Sequence, residues 1–359
     1  MKKIVLTGGG TAGHVTPNIA LLPALQAAGY EIAYVGSYEG IEKKLIADFN
    51  IPYTGISTGK FRRYLDPKNF SDPFRVMKGF VGARNYLKNY QPDVVFSKGG
   101  FVSVPVVRAA ASLHIPCIIH ESDMTPGLAN KLCIPVAEKV CCNFPETMKN
   151  IPADKAVLTG SPIRAELAQG SRLAGLNMCG FTANKPVIMV IGGSLGAANV
   201  NKAVRDALPK LLEDFQVVHL CGKDKIDNLL LNTPGYKQFE YIKAELKDIF
   251  AMADVVISRA GANAICELLA LKKPNILIPL PAASSRGDQL LNAASFEAQG
   301  YSIVLNEDDI TTNLLVDKVH ELYFNRQNYV EAMSRSHQMD AINTIMLLIN
   351  EAANKSHTQ

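Results

Sequence analysis

No targeting segment is expected: Lys2 and Lys3 lead into only Ile4, Val5 and Leu6 before a glycine cluster, far short of a signal-peptide core. No apolar run approaches the roughly 18 residues that a membrane span needs. The seven cysteines (117, 133, 141, 142, 179, 221 and 266) show no C-x-x-C spacing and no histidine partners at zinc-finger intervals, so they are expected to be reduced, mostly buried thiols of a cytosolic protein. No D-x-D pair occurs, the nearest acidic run being Glu307-Asp308-Asp309. A resident metal on a ligand diphosphate is therefore not indicated. Charge of one sign is also scarce, with a formal net charge of +4 over 359 residues. No nucleic-acid motif and no strongly basic whole domain accompany it, which argues against a nucleic-acid partner.

What is present is an apolar, ordered chain, 48% hydrophobic and 19% charged, long enough for two α/β domains. KIVLT (3–7) is a buried strand running into a glycine turn, and Pro17 to Ala28 follows as a helix. EIAYVG (31–36), DVVFS (93–97) and PCIIHE (116–121) continue as apolar runs separated by helical stretches, the pattern of a parallel sheet buried on both faces. At Pro186 the pattern restarts with VIMVIGGSLG (187–196), FQVVHLCG (215–222), ADVVIS (253–258) and PNILIPL (274–280). The glycine loops 9–13 and 192–196 match at a constant offset of 183 residues. Two doubly wound domains with a cleft between them are expected. The boundary falls in the turn-rich stretch 160–186, placed at 162/163. The assignment is 1–162, 163–340, and a C-terminal helical segment 341–359 packing back on the first domain.

GGGTAG (8–13) satisfies G-x-G-x-x-G, but the second strand ends at Val35-Gly36-Ser37 without the acid that a nicotinamide cofactor's ribose requires. No cofactor is expected. Two matching loops at helix amino termini instead suit a diphosphate ligand. His14 directly follows the first loop and is a candidate general base, against the alternative of a polar loop residue. HESDMTPGLANK (120–131) gathers His120, Glu121, Ser122, Asp123 and Asn130 after an apolar strand, where such folds place ligand-binding loops. SRAGANAICE (258–267) places Glu267 on a helix behind Gly261, and RGDQLLNA (286–293) adds Arg286, Asp288, Gln289 and Asn292.

Residues 1–162 hold 18 Lys/Arg against 12 Asp/Glu, and residues 60–88 alone hold eight against two. The first half's whole excess lies in that segment. In KFRRYLDPKNFSDPFRVMKGF (60–80) basic residues alternate with aromatics, which suits an anionic membrane surface. The alternative is a solvated face over a core stripe, since Phe74, Met77 and Val81 have helical core spacing.

Taken together, GGGTAGH (8–14), FSKGGFVSVP (96–105), HESDMTPGLANK (120–131), GSPIR (160–164), GGSLGA (192–197), SRAGANAICE (258–267) and RGDQLLNA (286–293) resemble the MurG family in order and spacing, over nearly the whole chain. These are UDP-N-acetylglucosamine transferases that complete the lipid-linked precursor of peptidoglycan. The resemblance implies the GT-B architecture, with the UDP-GlcNAc donor on the second domain. It implies inverting transfer to the 4-hydroxyl of undecaprenyl-diphosphate-linked N-acetylmuramyl-pentapeptide, lipid I to lipid II, at the cytoplasmic face of the membrane, with other cell-wall synthesis proteins as further partners. On the matching positions Ser194 meets the diphosphate, Arg164 and Ala262 contact the donor, Ile242 lies by the uracil, Glu267 holds the ribose, and Gln289 and Asn292 address the sugar hydroxyls. Thr11, Ala12 and Gly13 line the acceptor side, with His14 as base and Glu121 next in line. Asp123, a further candidate substrate contact, stands where many members have Asn, and Ala12 replaces a common glycine. The alternatives are a diacylglycerol glycosyltransferase of similar fold and a non-catalytic nucleotide-sugar-binding protein.

Overall fold

A computed structural model describes residues 1–59, 72–192, 197–282 and 287–355. The chain divides into two compact units, Met1–Arg164 with Asp340–Gln359, and Ala165–Met339.

The first unit is built on a seven-stranded sheet. Its strands are β1 (Lys3–Thr7), β2 (Glu31–Ser37), β3 (Tyr53–Ile56), β4 (Val94–Ser97), β5 (Cys117–Glu121), β6 (Lys139–Cys142) and β7 (Ala156–Leu158). They pair in parallel in the order β3-β2-β1-β4-β5-β6-β7. Because side chains alternate across a strand, Ile4 and Leu6 enter the core on one face while Val5 enters the core on the other. The central strands are therefore apolar at most positions on both faces, and that explains the long apolar runs in the sequence. The first of these cores is closed by the helix Ala341–Lys355: Ile345, Met346, Ile349, Ala352 and Ala353 form one face of it, packed with Leu21, Leu22 and Leu25 of the helix Thr16–Ala27. Tyr30 Oη donates to Asn350 Oδ1 at 2.8 Å.

The second unit repeats the plan with β8 (Val187–Ile191), β9 (Gln216–Leu220), β10 (Tyr236–Phe239), β11 (Val255–Ser258), β12 (Asn275–Leu277) and β13 (Ser302–Val304). These are parallel in the order β10-β9-β8-β11-β12-β13. In both sheets the winding reverses beside the first strand, between β1 and β4 and between β8 and β11. The loops that leave those four strands at their carboxyl ends flank the crevice where open α/β sheets bind ligands. Among the described helices none is long and apolar enough to cross a membrane. All seven cysteines are buried and unbridged.

One buried histidine gives the second unit a defined acid response. His219 on β9 is fully buried, with Nδ1 2.9 Å from Tyr236 Oη and Nε2 2.9 Å from Asn201 Oδ1. Burial, then the charge of Arg205, pushes its pKa down to about 3. In the unfolded chain it protonates near 6.5. Its contribution is therefore complete above pH 6.5 and declines as pH falls from 6.5 toward 3. Linkage sets the loss at roughly 2 kcal/mol between pH 7 and pH 5. Urea unfolding at the two pH values should show that this difference is smaller by about that amount in His219→Leu; an unchanged difference would mean that the histidine is already charged in the fold.

Candidate active site

The first site is formed where two glycine loops interlock at the switch point of the first unit. After β1 the chain passes through Gly8, Gly9 and Gly10 into a short 3-10 turn, Ala12–His14, and on into the helix Thr16–Ala27. After β4 it passes through Lys98, Gly99 and Gly100 into the helix Ser103–Ser112. Lys98 N donates to Thr7 O at 2.9 Å, which sets the loops side by side. The approach is too close for side chains: a Cβ at Gly100 would lie 2.3 Å from the Gly9 oxygen and 3.2 Å from His14 Nδ1. Gly100 also holds φ +83°, and Gly10, against the Phe101 ring, φ +86°, values that favour glycine.

His14 sits half-buried over this junction, Nδ1 3.0 Å from Thr11 Oγ1. Thr11 and Ala12 are exposed beside it, with Gly13 half-buried. Burial first, and then the charge of Lys98, lowers the His14 pKa to about 4, while the Gly9 carbonyl and Glu42 act in the opposite direction. The imidazole is thus neutral at physiological pH and able to accept a proton. Glu42, from the helix Ile41–Ile46, is fully buried beneath the same loop. Its carboxylate accepts from Gly10 N at 3.2 Å, Ser37 N at 2.9 Å and the Ser37 hydroxyl. One amide of the first glycine loop is therefore already satisfied by protein rather than turned to a ligand anion.

The loop after β5 is organised around Glu121. Its two oxygens accept from Asp123 N at 2.9 Å, Gly127 N at 3.0 Å and Asn130 Nδ2 at 2.8 Å. A carboxylate engaged three times, and 4% exposed, serves first to fix the loop. His120, one residue earlier, faces inward, with Nε2 2.9 Å from Gly160 O; burial and then Lys98 hold its pKa well below the usual range. The Asp123 carbonyl accepts from Thr147 Oγ1 at 3.2 Å and its residue is half-buried.

In the second unit Ser194 and its neighbours 193–196 lie outside the described residues, as does Arg286. After β11 the chain turns through Arg259, Ala260 and Gly261 into the helix Ala262–Ala270, with Ala262 at its first position and Glu267 half-buried on its second turn. Ile242 is buried in the loop after β10. Two expected sugar contacts have partners within the unit: Asn292, buried on the helix Asp288–Ala298, donates Nδ2 to Ala260 O at 3.1 Å, and Gln289 Oε1 accepts from Leu280 N at 3.1 Å. Both tie together the loops after β11 and β12. Arg164, half-buried, ends the first unit.

Residues 4–142 match the glycosyltransferase family 28 N-terminal domain, and residues 187–346 match the family 28 C-terminal domain. A protein of Lachnospira eligens named UDP-N-acetylglucosamine--N-acetylmuramyl-(pentapeptide) pyrophosphoryl-undecaprenol N-acetylglucosamine transferase is 64% identical over 351 residues, 98% of this chain and 99% of that one. This chain belongs to the MurG family of family 28 glycosyltransferases. A Clostridium botulinum protein of the same name is 56% identical over 351 residues, with the same coverage. The crystal structure of Acinetobacter baumannii MurG, 29% identical, superposes with a TM-score of 0.77 over 98% of this chain and 100% of that one. The two Rossmann-like units are thus the GT-B fold of the MurG family.

Four charged residues at these sites take parts that the sequence does not predict. Lys98 is 1% exposed and donates Nζ to the Ser122 hydroxyl, joining the second glycine loop to the loop after β5. A cation directly after an apolar strand was the visible signal. Glu42 gave none, being one Glu in a short polar helix. Arg259 and Glu307 form a buried ion pair behind the SRAGAN loop, although Glu307 was read as part of an acidic surface run.

Proposed function

We propose that this chain transfers N-acetylglucosamine from UDP-GlcNAc to the 4-hydroxyl of the muramyl sugar of undecaprenyl-diphosphate-linked N-acetylmuramyl-pentapeptide, with inversion at the anomeric carbon. The observation that carries the assignment of the chemistry is the neutral, half-buried His14 seated on two glycine loops at the switch point of the first unit. His14 takes the proton of the acceptor hydroxyl as its oxygen attacks the anomeric carbon and UDP leaves, so no covalent intermediate is needed. Thr11, Ala12 and Gly13 line the acceptor side. Glu121 and Asp123 shape the loop beside it. On the donor side the GGSLGA loop with Ser194, the amino terminus of the helix Ala262–Ala270 and Arg164 stabilise the charge that develops on the diphosphate. Ile242 lies by the uracil and Glu267 on the ribose. Gln289 and Asn292 hold the loops that meet the sugar. Residues 1–162 are accordingly the acceptor domain and residues 163–340 the UDP-sugar domain, with 341–359 completing the first, a division within two residues of the bounds of the compact units.

The acceptor's lipid stays in the bilayer, so the enzyme works from the cytoplasmic face, docked through residues 60–80. Residues 60–71 lie outside the described ones. On the helix Asp72–Tyr90, Phe74, Met77 and Val81 are 80%, 63% and 50% exposed. The core-stripe alternative for these residues is thereby overturned: their helical spacing is real, but the stripe faces out. Exposed Arg75 and Lys78 share its surface, and exposed Leu128 and Leu132 add apolar area nearby around a small cavity that Val76, Phe101 and Val104 also line. Cations set among exposed apolar side chains suit reversible binding to an anionic interface.

Each basic residue near such a surface contributes about 1 kcal/mol. Changing Arg62, Arg63, Arg75 and Lys78 to Gln should thus cut partitioning onto phosphatidylglycerol vesicles by roughly 10³ at low salt, while calorimetry shows unchanged UDP-GlcNAc affinity. Vesicle binding that survives all four changes would place the membrane contact elsewhere.

A further inference from the structure

Two charged side chains of the first unit lie beneath the His14 loop and meet no substrate in the reading above. Glu42 sits under it on the side of β2. Lys98 lies on the β4 side, its Cβ 3.2 Å from where a Gly8 Cβ would stand, its backbone nitrogen bonded to Thr7 O, and its ammonium on the Ser122 hydroxyl. Ser122 is tied in turn, its carbonyl accepting from Asn143 Nδ2 at 3.1 Å. A buried lysine is costly unless its charge is used.

We propose that Lys98 is a positioning residue for His14: its buried ammonium locks the loop after β5 to the two interlocked glycine loops and places a cation in the loop that abuts the His14 ring. The inference rests on the reading of His14 as the base. In the low dielectric of this junction an imidazolium beside an ammonium is disfavoured far more than in water. The groups that bear on the ring are Lys98 from the loop after β4, Glu42 from the helix Ile41–Ile46, and the uncharged Thr11 hydroxyl and Gly9 carbonyl of its own loop. Burial is the larger influence, Lys98 the second, and Glu42 opposes both. The two buried charges thus act on the ring in opposite directions while their bonds hold its loops.

The test follows the His14 imidazole by NMR titration of the full chain, alongside the pH dependence of kcat/KM. In Lys98→Met the titration should move upward by roughly one pH unit; Lys98→Arg should stay near the wild type, and Glu42→Gln should move downward. The acid limb of kcat/KM should shift with each. Lys98→Gln serves as a second neutral variant should the methionine change impair folding. A His14 titration in both neutral variants that coincides with the wild type overturns the proposal, since a merely structural lysine would alter stability alone. A titration that moves while the acid limb stays fixed would retain the coupling of Lys98 to His14 and remove His14 from the role of base.

Discussion

His14→Ala is expected to lower kcat by about 10²–10⁴, with little change in the KM for UDP-GlcNAc. A factor of that size is roughly 3–5 kcal/mol of barrier, within reach of the loss of a general base. The pH dependence makes the expectation sharper. With its pKa lowered to about 4 in the free protein, His14 is ready to accept a proton at any pH above that, but it is a weak base there. On the proposed reading the acceptor's diphosphate binds beside His14, and its negative charge raises the proton affinity of the imidazole. Since kcat/KM reports the free enzyme and kcat the bound complex, the acid limb of kcat/KM should fall near pH 4 and that of kcat at higher pH. Both limbs should vanish from the residual activity of His14→Ala. Glu121→Ala should behave differently: with the Asp123, Gly127 and Asn130 bonds gone, loss of activity should come with a lower melting temperature. A His14→Ala enzyme of normal stability and undiminished turnover would assign the base to another group.

The parts of this fold that could be read from the sequence are those in which one physical demand governs every residue. β1, β2, β4, β5, β8, β9, β11 and β12 are buried on both faces, so apolar residues dominate them and announce the strands, even with buried polar residues such as His120, His219 and Asn275 among them. The strands that were passed over are short or lie toward a sheet's edge: Tyr53–Ile56 includes Gly55 and is only half-buried over its first three residues, and Tyr236–Phe239 alternates buried Tyr236 and Gln238 with half-buried Lys237 and Phe239. Lys139–Cys142, Ala156–Leu158 and Ser302–Val304 have at most four residues each, too few for periodicity to register. The C-terminal segment read as helical forms the helix Ala341–Lys355, which a 3-10 turn separates from a further helix, Arg326–Ser334.

The same distinction holds at the site. Glycine loops are local, and the 183-residue offset exposed both. What a loop rests on is tertiary. Nothing about position 42 or position 98 shows that the two side chains meet the same loop, and the helical spacing of Phe74, Met77 and Val81 cannot tell an apolar stripe that faces a core from one that faces outward. The sequence marks Glu121 as a reserve base, but it does not show that its carboxylate is engaged by three donors of its own segment.

The largest expected effect on stability lies at the loop after β11, at Arg259 and Glu307. The two side chains are 9% and 8% exposed. Arg259 Nη1 donates to the carbonyls of Ile278 and Pro279 at 3.0 and 3.2 Å, Nη2 pairs with Glu307, and the other Glu307 oxygen accepts from Asn199 Nδ2. One guanidinium thus links the end of β11, the end of β12, the 3-10 turn Glu307–Asp309 and the start of the helix Ala198–Asp214. Glu307→Ala removes the partner and leaves the cation in a poorly solvated place, which costs about 3–5 kcal/mol for a buried pair. Breaking the exposed Lys202–Asp206 pair, 76% and 50% exposed, should cost under about 0.5 kcal/mol. Replacing both buried partners by apolar residues, as in Arg259→Met with Glu307→Leu, removes the stranded charge and should return most of the lost stability. It cannot restore the Arg259 ties to the Ile278 and Pro279 carbonyls and to Glu307 that hold the turn ahead of the helix Ala262–Ala270, the helix proposed to meet the UDP diphosphate. Urea unfolding should therefore show the double variant near the wild type while its KM for UDP-GlcNAc stays raised. Recovery of both would make the ion pair a matter of folding alone, and a Glu307→Ala variant within about 1 kcal/mol of the wild type would show that the guanidinium finds other acceptors when its partner is gone.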